Sequence, residues 1–172
     1  VEIKLPLKDP EEARKKIKKL GANLIGAEKQ IDIYYNAPHR NLADTDEALR
    51  IRFGKDASLT YKGPKLDKTS KTREEIVVSI ADADQTGAIL KLLGFDEVAK
   101  ITKHRETYQL DNFTLTIDYL IDLGTFMEIE TAVPDGEDYR SAQDRVFDLL
   151  YLLGLRKEDT LRESYLELIL NR

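Results

Sequence analysis

Ala48-Leu49-Arg50-Ile51-Arg52-Phe53 alternates apolar and basic side chains with a period of two. That is the period of a β-strand, in which successive side chains point to opposite faces. Leu49, Ile51 and Phe53 share one face; Arg50 and Arg52 share the other. The same phasing recurs outward along the chain. Glu2 and Lys4 oppose Ile3 and Leu5, and Thr60 and Lys62 oppose Leu59 and Tyr61. Lys103 and Arg105 share a face with Thr107, Thr116 and Asp118 oppose Leu115, Ile117 and Tyr119, and Glu128 and Glu130 oppose Met127 and Ile129. One of Glu74 and Glu75 faces the polar side, and the phase set by Arg73 favours Glu75.

Period-two segments fall at residues 1–5, 24–35, 48–53, 58–62, 72–80, 98–109, 113–121 and 125–133. Eight strands with few intervening helices call for antiparallel pairing, hence an α+β fold or a barrel. Asp111-Asn112 is a tight turn joining two of them. Asp9-Pro10-Glu11-Glu12 starts a helix, with an Asx cap, proline at the first helical position and acids at the positive end of the dipole. A second helix starts at Asp82 or Asp84, and a third spans about 138–153. All three close on Leu-Gly, at Gly21, Gly94 and Gly154, and each is followed by a segment ending in tyrosine, at Tyr34, Tyr108 and Tyr165. This suggests a weak internal repeat; the alternative is that Leu-Gly is a common helix ending. The third copy, 161–170, reads as more helical. Residues 37–47 and 63–71, rich in Pro, Asn, Asp, Lys and Thr, read as mobile loops.

The chain has 172 residues, 41% hydrophobic and 34% charged, the composition of a globular protein, and one domain spanning 1–172 is expected. Zero cysteines exclude a disulfide scaffold, a thiolate metal site and a cysteine nucleophile, and they fit a reducing compartment. No stretch reaches the ~18 apolar residues that cross a bilayer, and no secretory leader is visible, so a cytoplasmic protein without membrane attachment is expected. A net charge of −5 argues against a nucleic-acid coat. One methionine and heavy use of Lys, Arg and Glu resemble thermophile composition.

Within this acidic chain the polar strand face carries Lys4, Arg50, Arg52, Lys62, Arg73, Lys103 and Arg105 against Glu2, Glu75, Asp118, Glu128 and Glu130. A solvated sheet face would explain charge as such. It does not explain the segregation of sign by strand, with carboxylates doubled at Glu128 and Glu130 and guanidinium groups doubled at Arg50 and Arg52. If the sheet closes with this face inward, the charges need partners. Forked guanidinium groups match phosphate oxygens, and clustered carboxylates without His or Cys suit a hard cation such as Mg²⁺ or Mn²⁺. A triphosphate–metal complex satisfies both sets.

These residues resemble the CYTH domain, or triphosphate tunnel metalloenzyme, superfamily, and within it the class IV adenylyl cyclases. The resemblance rests on Val1-Glu2-Ile3-Lys4, similar to the end of a Glu-x-Glu-x-Lys signature whose first glutamate would precede Val1, then Ala48-Leu49-Arg50-Ile51-Arg52 and Leu59-Thr60-Tyr61-Lys62-Gly63-Pro64. It continues through Thr72-Arg73-Glu74-Glu75, Lys103-His104-Arg105, Ile117-Asp118 and Gly124-Thr125-Phe126-Met127-Glu128-Ile129-Glu130.

The resemblance implies an eight-stranded antiparallel β-barrel, open as a triphosphate tunnel, with helices outside. It implies that Glu2, Glu128 and Glu130 hold the metal, with Glu75 and Asp118 as further candidates. Lys4, Arg50, Arg52, Lys62, Arg73, Lys103 and Arg105 would bind the triphosphate, and Lys4 and Asp118 are the catalytic candidates. Three activities follow as expectations: conversion of ATP to cyclic AMP and pyrophosphate; hydrolysis of tripolyphosphate, thiamine triphosphate or a nucleotide; or polyphosphate binding without turnover. Family members often pair, so a homodimer is a further expectation. His104 is out of phase with Lys103 and Arg105 and is expected outside the site, as is His39 in its loop. Tyr34, Tyr35 and Tyr61 read as packing residues. Asn112-Phe113-Thr114 reads as turn chemistry, and Ser164-Tyr165 resembles a feature of the cyclase-like subgroup without a derivable role.

Overall fold

The computed structural model describes residues 1–66, 70–134 and 138–171. Eight strands form one antiparallel sheet: β1 (Glu2–Pro6), β2 (Asn23–Asn36), β3 (Ala48–Phe53), β4 (Ser58–Lys65), β5 (Arg73–Ser79), β6 (Asp96–Leu110), β7 (Phe113–Leu120) and β8 (Gly124–Glu130). Their order is β1-β8-β7-β6-β2-β3-β4-β5. The α-helices among the described residues are α1 (Pro10–Lys19), α2 (Ala83–Leu92), α3 (Tyr139–Leu152) and α4 (Tyr165–Leu170). The α+β class with eight antiparallel strands and accompanying helices is therefore as the strand periodicity demands. Among the described residues no helix is long and apolar enough to cross a membrane.

Helix ends follow local chemistry. Asp9 caps α1 through the Glu12 amide, and Asp82, rather than Asp84, caps α2 through the Gln85 amide. Each Leu-Gly closes its helix with glycine at positive φ: 89° at Gly21, 89° at Gly94 and 71° at Gly154. Only a residue without a Cβ enters that region freely. Asp111 reaches the same region, φ 49°, in the tight turn between β6 and β7. The last tyrosine-ending segment contains α4, closed at its start by a capping box between Ser164 and Glu167.

The described residues fall into two compact units. One comprises Val1–Ala27 and residues 70–72 and 104–171; the other comprises Glu28–Leu66 and Arg73–Lys103. In the first, Ile3 and Leu5 of β1, Leu115 and Ile117 of β7, and Met127 and Ile129 of β8 turn one strand face to Ile17 of α1 and to Val146 and Leu150 of α3. In the second, Ile51 and Tyr35 pack with Ala83 and Leu90 of α2. Gly87 allows α2 to lie that close, since a Cβ there would come 2.9 Å from the Tyr35 hydroxyl.

Two loop expectations are corrected. Gly63 and Lys65 lie within β4, because Tyr61, Lys62 and Lys65 continue pairing with β5 across a register shift. Residues 67–69 lie outside the described residues, while Ser70 and Lys71 are buried. Residues 37–47 contain a bridge between Ala37 and Arg40 and a 3-10 turn at Leu42–Thr45. The segment is fastened by Arg40 and Tyr61, whose side chains both donate to the Glu47 carboxylate.

Candidate functional site

In the first unit, strand register decides which charges meet. Glu2 stands opposite Glu130 and Lys4 opposite Glu128 across β1 and β8, and Thr116 stands opposite Glu128 across β7 and β8. Glu2, Lys4, Thr116, Asp118, Glu128 and Glu130 therefore share the face opposite the apolar core. The middle of this face is withdrawn from solvent. Lys4 and Asp118 are wholly buried, and Glu128 is 7% exposed.

Burial forces these groups to find partners. Arg105 grips Asp118 with two hydrogen bonds, Nε to Oδ1 at 2.6 Å and Nη2 to Oδ2 at 2.5 Å, and donates from Nη2 to Glu128 Oε2 at 2.6 Å. The Tyr165 hydroxyl donates to Asp118 Oδ2 at 2.9 Å. Lys71 donates to Glu2 Oε1 and, at 3.3 Å, to Glu128 Oε1. Glu130, at the strand end, is exposed.

Two groups on this face are exceptions, the Thr116 hydroxyl and Lys4. Lys4 Nζ is buried and has no hydrogen-bond partner among the described residues. It stands 4.0 Å from the centroid of the Tyr165 ring and 5.9 Å from that of Phe126, and these two rings meet edge to face at 5.4 Å. Desolvation and the Lys71 ammonium bring its pKa down to about 7, against the opposing pull of Glu128 and Glu2. An ammonium so placed is poised to take an anionic ligand or to exchange a proton near neutrality.

The second unit gathers cations about a carboxylate. Asp32 stands opposite Arg52 across β2 and β3, and Arg50 opposite Thr60 across β3 and β4. Arg52 binds Asp32 with paired bonds of 2.7 and 2.8 Å. Arg50 Nη1 and Lys103 Nζ each lie 3.6 Å from Asp32 Oδ2. Asp32 is 2% exposed, yet hydrogen bonds from Arg52 and the charges of Arg50 and Lys103 overcome desolvation and hold its carboxyl well below the usual range. Together these four groups carry net positive charge within a buried layer.

Lys62 and Glu75 face each other across β4 and β5, 2.6 Å apart, which settles the Glu74–Glu75 choice for Glu75. Arg73 donates to the Gly63 and Asp46 carbonyls at 3.0 and 3.3 Å, holding the turn at Asp46 against β4. His104 and His39 are exposed.

Of the residues named from sequence, Lys4, Arg105, Asp118, Glu2, Glu128 and Glu130 thus occupy one polar face of the first unit. Arg50, Arg52, Lys62 and Glu75 share a face of the second unit, and Lys103 meets that face at Asp32. Three participants escaped the sequence reading. Asp32 lies in phase with Gln30 and opposite Ile31 and Ile33, an alternation that marks it. Lys71 sits in a segment whose composition reads as loop, and no pattern signals its burial. Tyr165 was visible only as a motif.

The carboxylates fit a hard divalent cation in donor chemistry, being oxygen ligands on neighbouring strands. Among the described residues no group of three or more His, Cys, Asp or Glu side chains is gathered around one metal-sized position. Glu2 and Glu128 instead close on the Lys71 ammonium, a cation seated between two carboxylates.

The CYTH domain family matches residues 1–165. A Methanocaldococcus jannaschii protein named as a candidate adenylate cyclase is 42% identical over 170 residues, covering 98% of this chain and 97% of its own. The adenylate cyclase CyaB of Aeromonas hydrophila is 29% identical over 137 residues, 78% of this chain and 69% of its own. Among solved structures, the PH1819 protein of Pyrococcus horikoshii superposes with a TM-score of 0.90 at 40% identity, covering 99% of this chain and 98% of its own. A Hippeastrum protein described as a candidate adenylyl cyclase with a dominant triphosphatase activity has a TM-score of 0.63 at 19% identity, covering 95% of this chain and 90% of its own. At that identity the likeness is one of fold.

Proposed function

The chain belongs to the CYTH domain family, and from that premise we propose that it is a metal-dependent enzyme acting on a triphosphate, of the class IV adenylyl cyclase type, converting ATP to cyclic AMP and pyrophosphate. The observation that carries this reading is the convergence of Arg50, Arg52 and Lys103 on Asp32 in a buried layer. A cluster of net positive charge from which water is largely excluded is completed by a multivalent anion, and forked guanidinium groups suit phosphate oxygens. The naming of the Methanocaldococcus jannaschii and Aeromonas hydrophila relatives favours the cyclase chemistry over other triphosphate reactions.

Arg50, Arg52, Lys62 and Lys103 are phosphate ligands in this reading, as are Lys4 and Arg105; Arg73 contributes charge while holding the Asp46 turn. Glu2, Glu128 and Glu130 would hold Mg²⁺ or Mn²⁺, which would supply charge neutralisation at the reacting phosphate. Arg105 orients Asp118 through both carboxylate oxygens, and the Tyr165 hydroxyl adds a second bond to Oδ2. Lys4, with its pKa near 7, offers either a cation to the triphosphate or a proton acceptor for the attacking hydroxyl. Catalysis would rest on positioning and electrostatics, as phosphoryl chemistry generally does.

A second reading, triphosphatase, is favoured by the same cluster, since cations that grip phosphates do so whether or not a nucleoside is attached. Incubation with ATP or tripolyphosphate under Mg²⁺ and then Mn²⁺, with cyclic AMP, pyrophosphate and orthophosphate resolved, separates them. Cyclic AMP with pyrophosphate establishes the cyclase; orthophosphate without cyclic AMP, accompanied by ADP from ATP or by pyrophosphate from tripolyphosphate, establishes the triphosphatase. Absence of every product despite tight triphosphate binding overturns both and leaves a polyphosphate-binding module.

A further inference from the structure

Lys71 is held in place by more than its charge. Its backbone amide donates to the Glu2 carbonyl at 2.9 Å, so the 70–72 segment lies along β1. Ser70 and Thr72 on either side are 2% and 6% exposed and bonded to each other, Oγ to Oγ1, at 2.5 Å. From this anchored backbone the side chain reaches across to two carboxylates on different strands. It contacts Glu2 Oε1 on β1 and Glu128 Oε1 on β8, the diagonal pair left by a register that matches Glu2 with Glu130 and Lys4 with Glu128.

Two carboxylates turned toward one point in a buried layer repel each other unless a cation lies between them. An ammonium there satisfies the same electrostatic demand that a divalent ion would. The two cations cannot share the seat, because like charges a few ångströms apart in a poorly solvated site repel strongly. Resting on the reading of Glu2 and Glu128 as metal ligands, we propose that Lys71 is a resident cation that competes with the divalent metal, so that metal enters only by displacing its ammonium. The tether makes the competition intramolecular: Lys71 is always at hand, keeps the carboxylates together before metal arrives, and weakens the affinity for metal alone. An incoming triphosphate supplies negative charge for the displaced ammonium, so metal and triphosphate bind better together than metal does by itself.

The test is a Mn²⁺ titration without nucleotide, followed by calorimetry and by the paramagnetic resonance of free Mn²⁺. It uses the full chain and its Lys71→Gln, Lys71→Arg and Glu128→Gln variants. Lys71→Gln is expected to bind Mn²⁺ about tenfold tighter or more, as removal of an adjacent unit charge dictates, with Lys71→Arg within a few-fold of the parent. The metal-free melting temperature of Lys71→Gln is expected to fall, and saturating Mn²⁺ to raise it by more than it raises the parent's. Parent binding with Lys71→Gln no tighter overturns the competition while leaving the metal reading in place. Glu128→Gln binding Mn²⁺ as the parent does, or no binding by parent and Lys71→Gln alike, removes the metal reading and the competition with it. Lys71→Met, which keeps the aliphatic stem, gives the same readout if glutamine at this position prevents folding.

Discussion

Replacement of Asp32 by asparagine keeps the volume of the side chain and removes its charge. The native carboxylate is 2% exposed, receives two bonds from Arg52 at 2.7 and 2.8 Å, and has Arg50 and Lys103 each 3.6 Å away. Without it three cations remain close together, Arg50 and Lys103 buried and Arg52 half-buried. Removing one side of a buried charged cluster costs about 3–5 kcal/mol. For a chain of this length each kcal/mol is worth about 2–4 °C, so the melting temperature should fall by roughly 6–20 °C. The sign with pH follows from the Asp32 carboxyl being held below its usual value. Its contribution is fully present above the unfolded pKa of about 4 and is lost as the pH falls toward the native value, so the gap between parent and variant should narrow in acid. With eight tyrosines and no tryptophan, urea unfolding is best followed by far-ultraviolet dichroism, at pH 7 and again near pH 3. Tripolyphosphate should raise the melting temperature of Asp32→Asn more than that of the parent, because the variant's cluster is the more cationic. A variant within about 1 kcal/mol of the parent at pH 7, or a gap unchanged by acid, would refute the claim that this carboxylate holds the cations together.

Lys4→Met should stabilise the protein: burial takes the Lys4 pKa from 10.5 to about 7, a penalty of about 4–5 kcal/mol that exceeds the ~2 kcal/mol of a desolvated cation–ring contact. The penalty is complete below pH 7 and vanishes above 10.5, so the gain should be larger at pH 6 than at pH 9 by about 2–3 kcal/mol, and urea midpoints showing equal gains would count against it. Arg52→Ala should lower triphosphate turnover about tenfold or more, and the exposed His104→Ala should leave kcat/KM unchanged; steady-state kinetics on both variants check the pair. Gly21→Ala should cost about 1–2 kcal/mol in chemical denaturation, from backbone strain alone. Its φ is +89° and a Cβ would meet nothing within 4 Å, so an unchanged midpoint would contradict that geometry.

Period and capping are local properties, and for that reason they were legible in the chain. Apolar–charged alternation located eight strands and gave a face to most of their charged residues, because side-chain direction along a strand depends only on residue parity. Asp9 as a cap and glycine after each leucine marked helix ends, because those signals act within a turn or two, while the choice of Asp82 over Asp84 came from the fold. Residue types on the polar face raised the expectation of phosphate and hard-cation chemistry. Partnership, by contrast, depends on register and on segments distant in sequence. That Glu128 meets both Arg105 and Lys71, that Asp32 receives Arg50, Arg52 and Lys103, and that Tyr165 supports Lys4 and Asp118 are facts of strand pairing and chain return. Burial was likewise a tertiary outcome. Alternation gives a wet polar face and a dry one the same signature, and packing alone brought Lys4, Asp118 and Lys103 out of water, where charge is costly enough to demand a partner or a ligand.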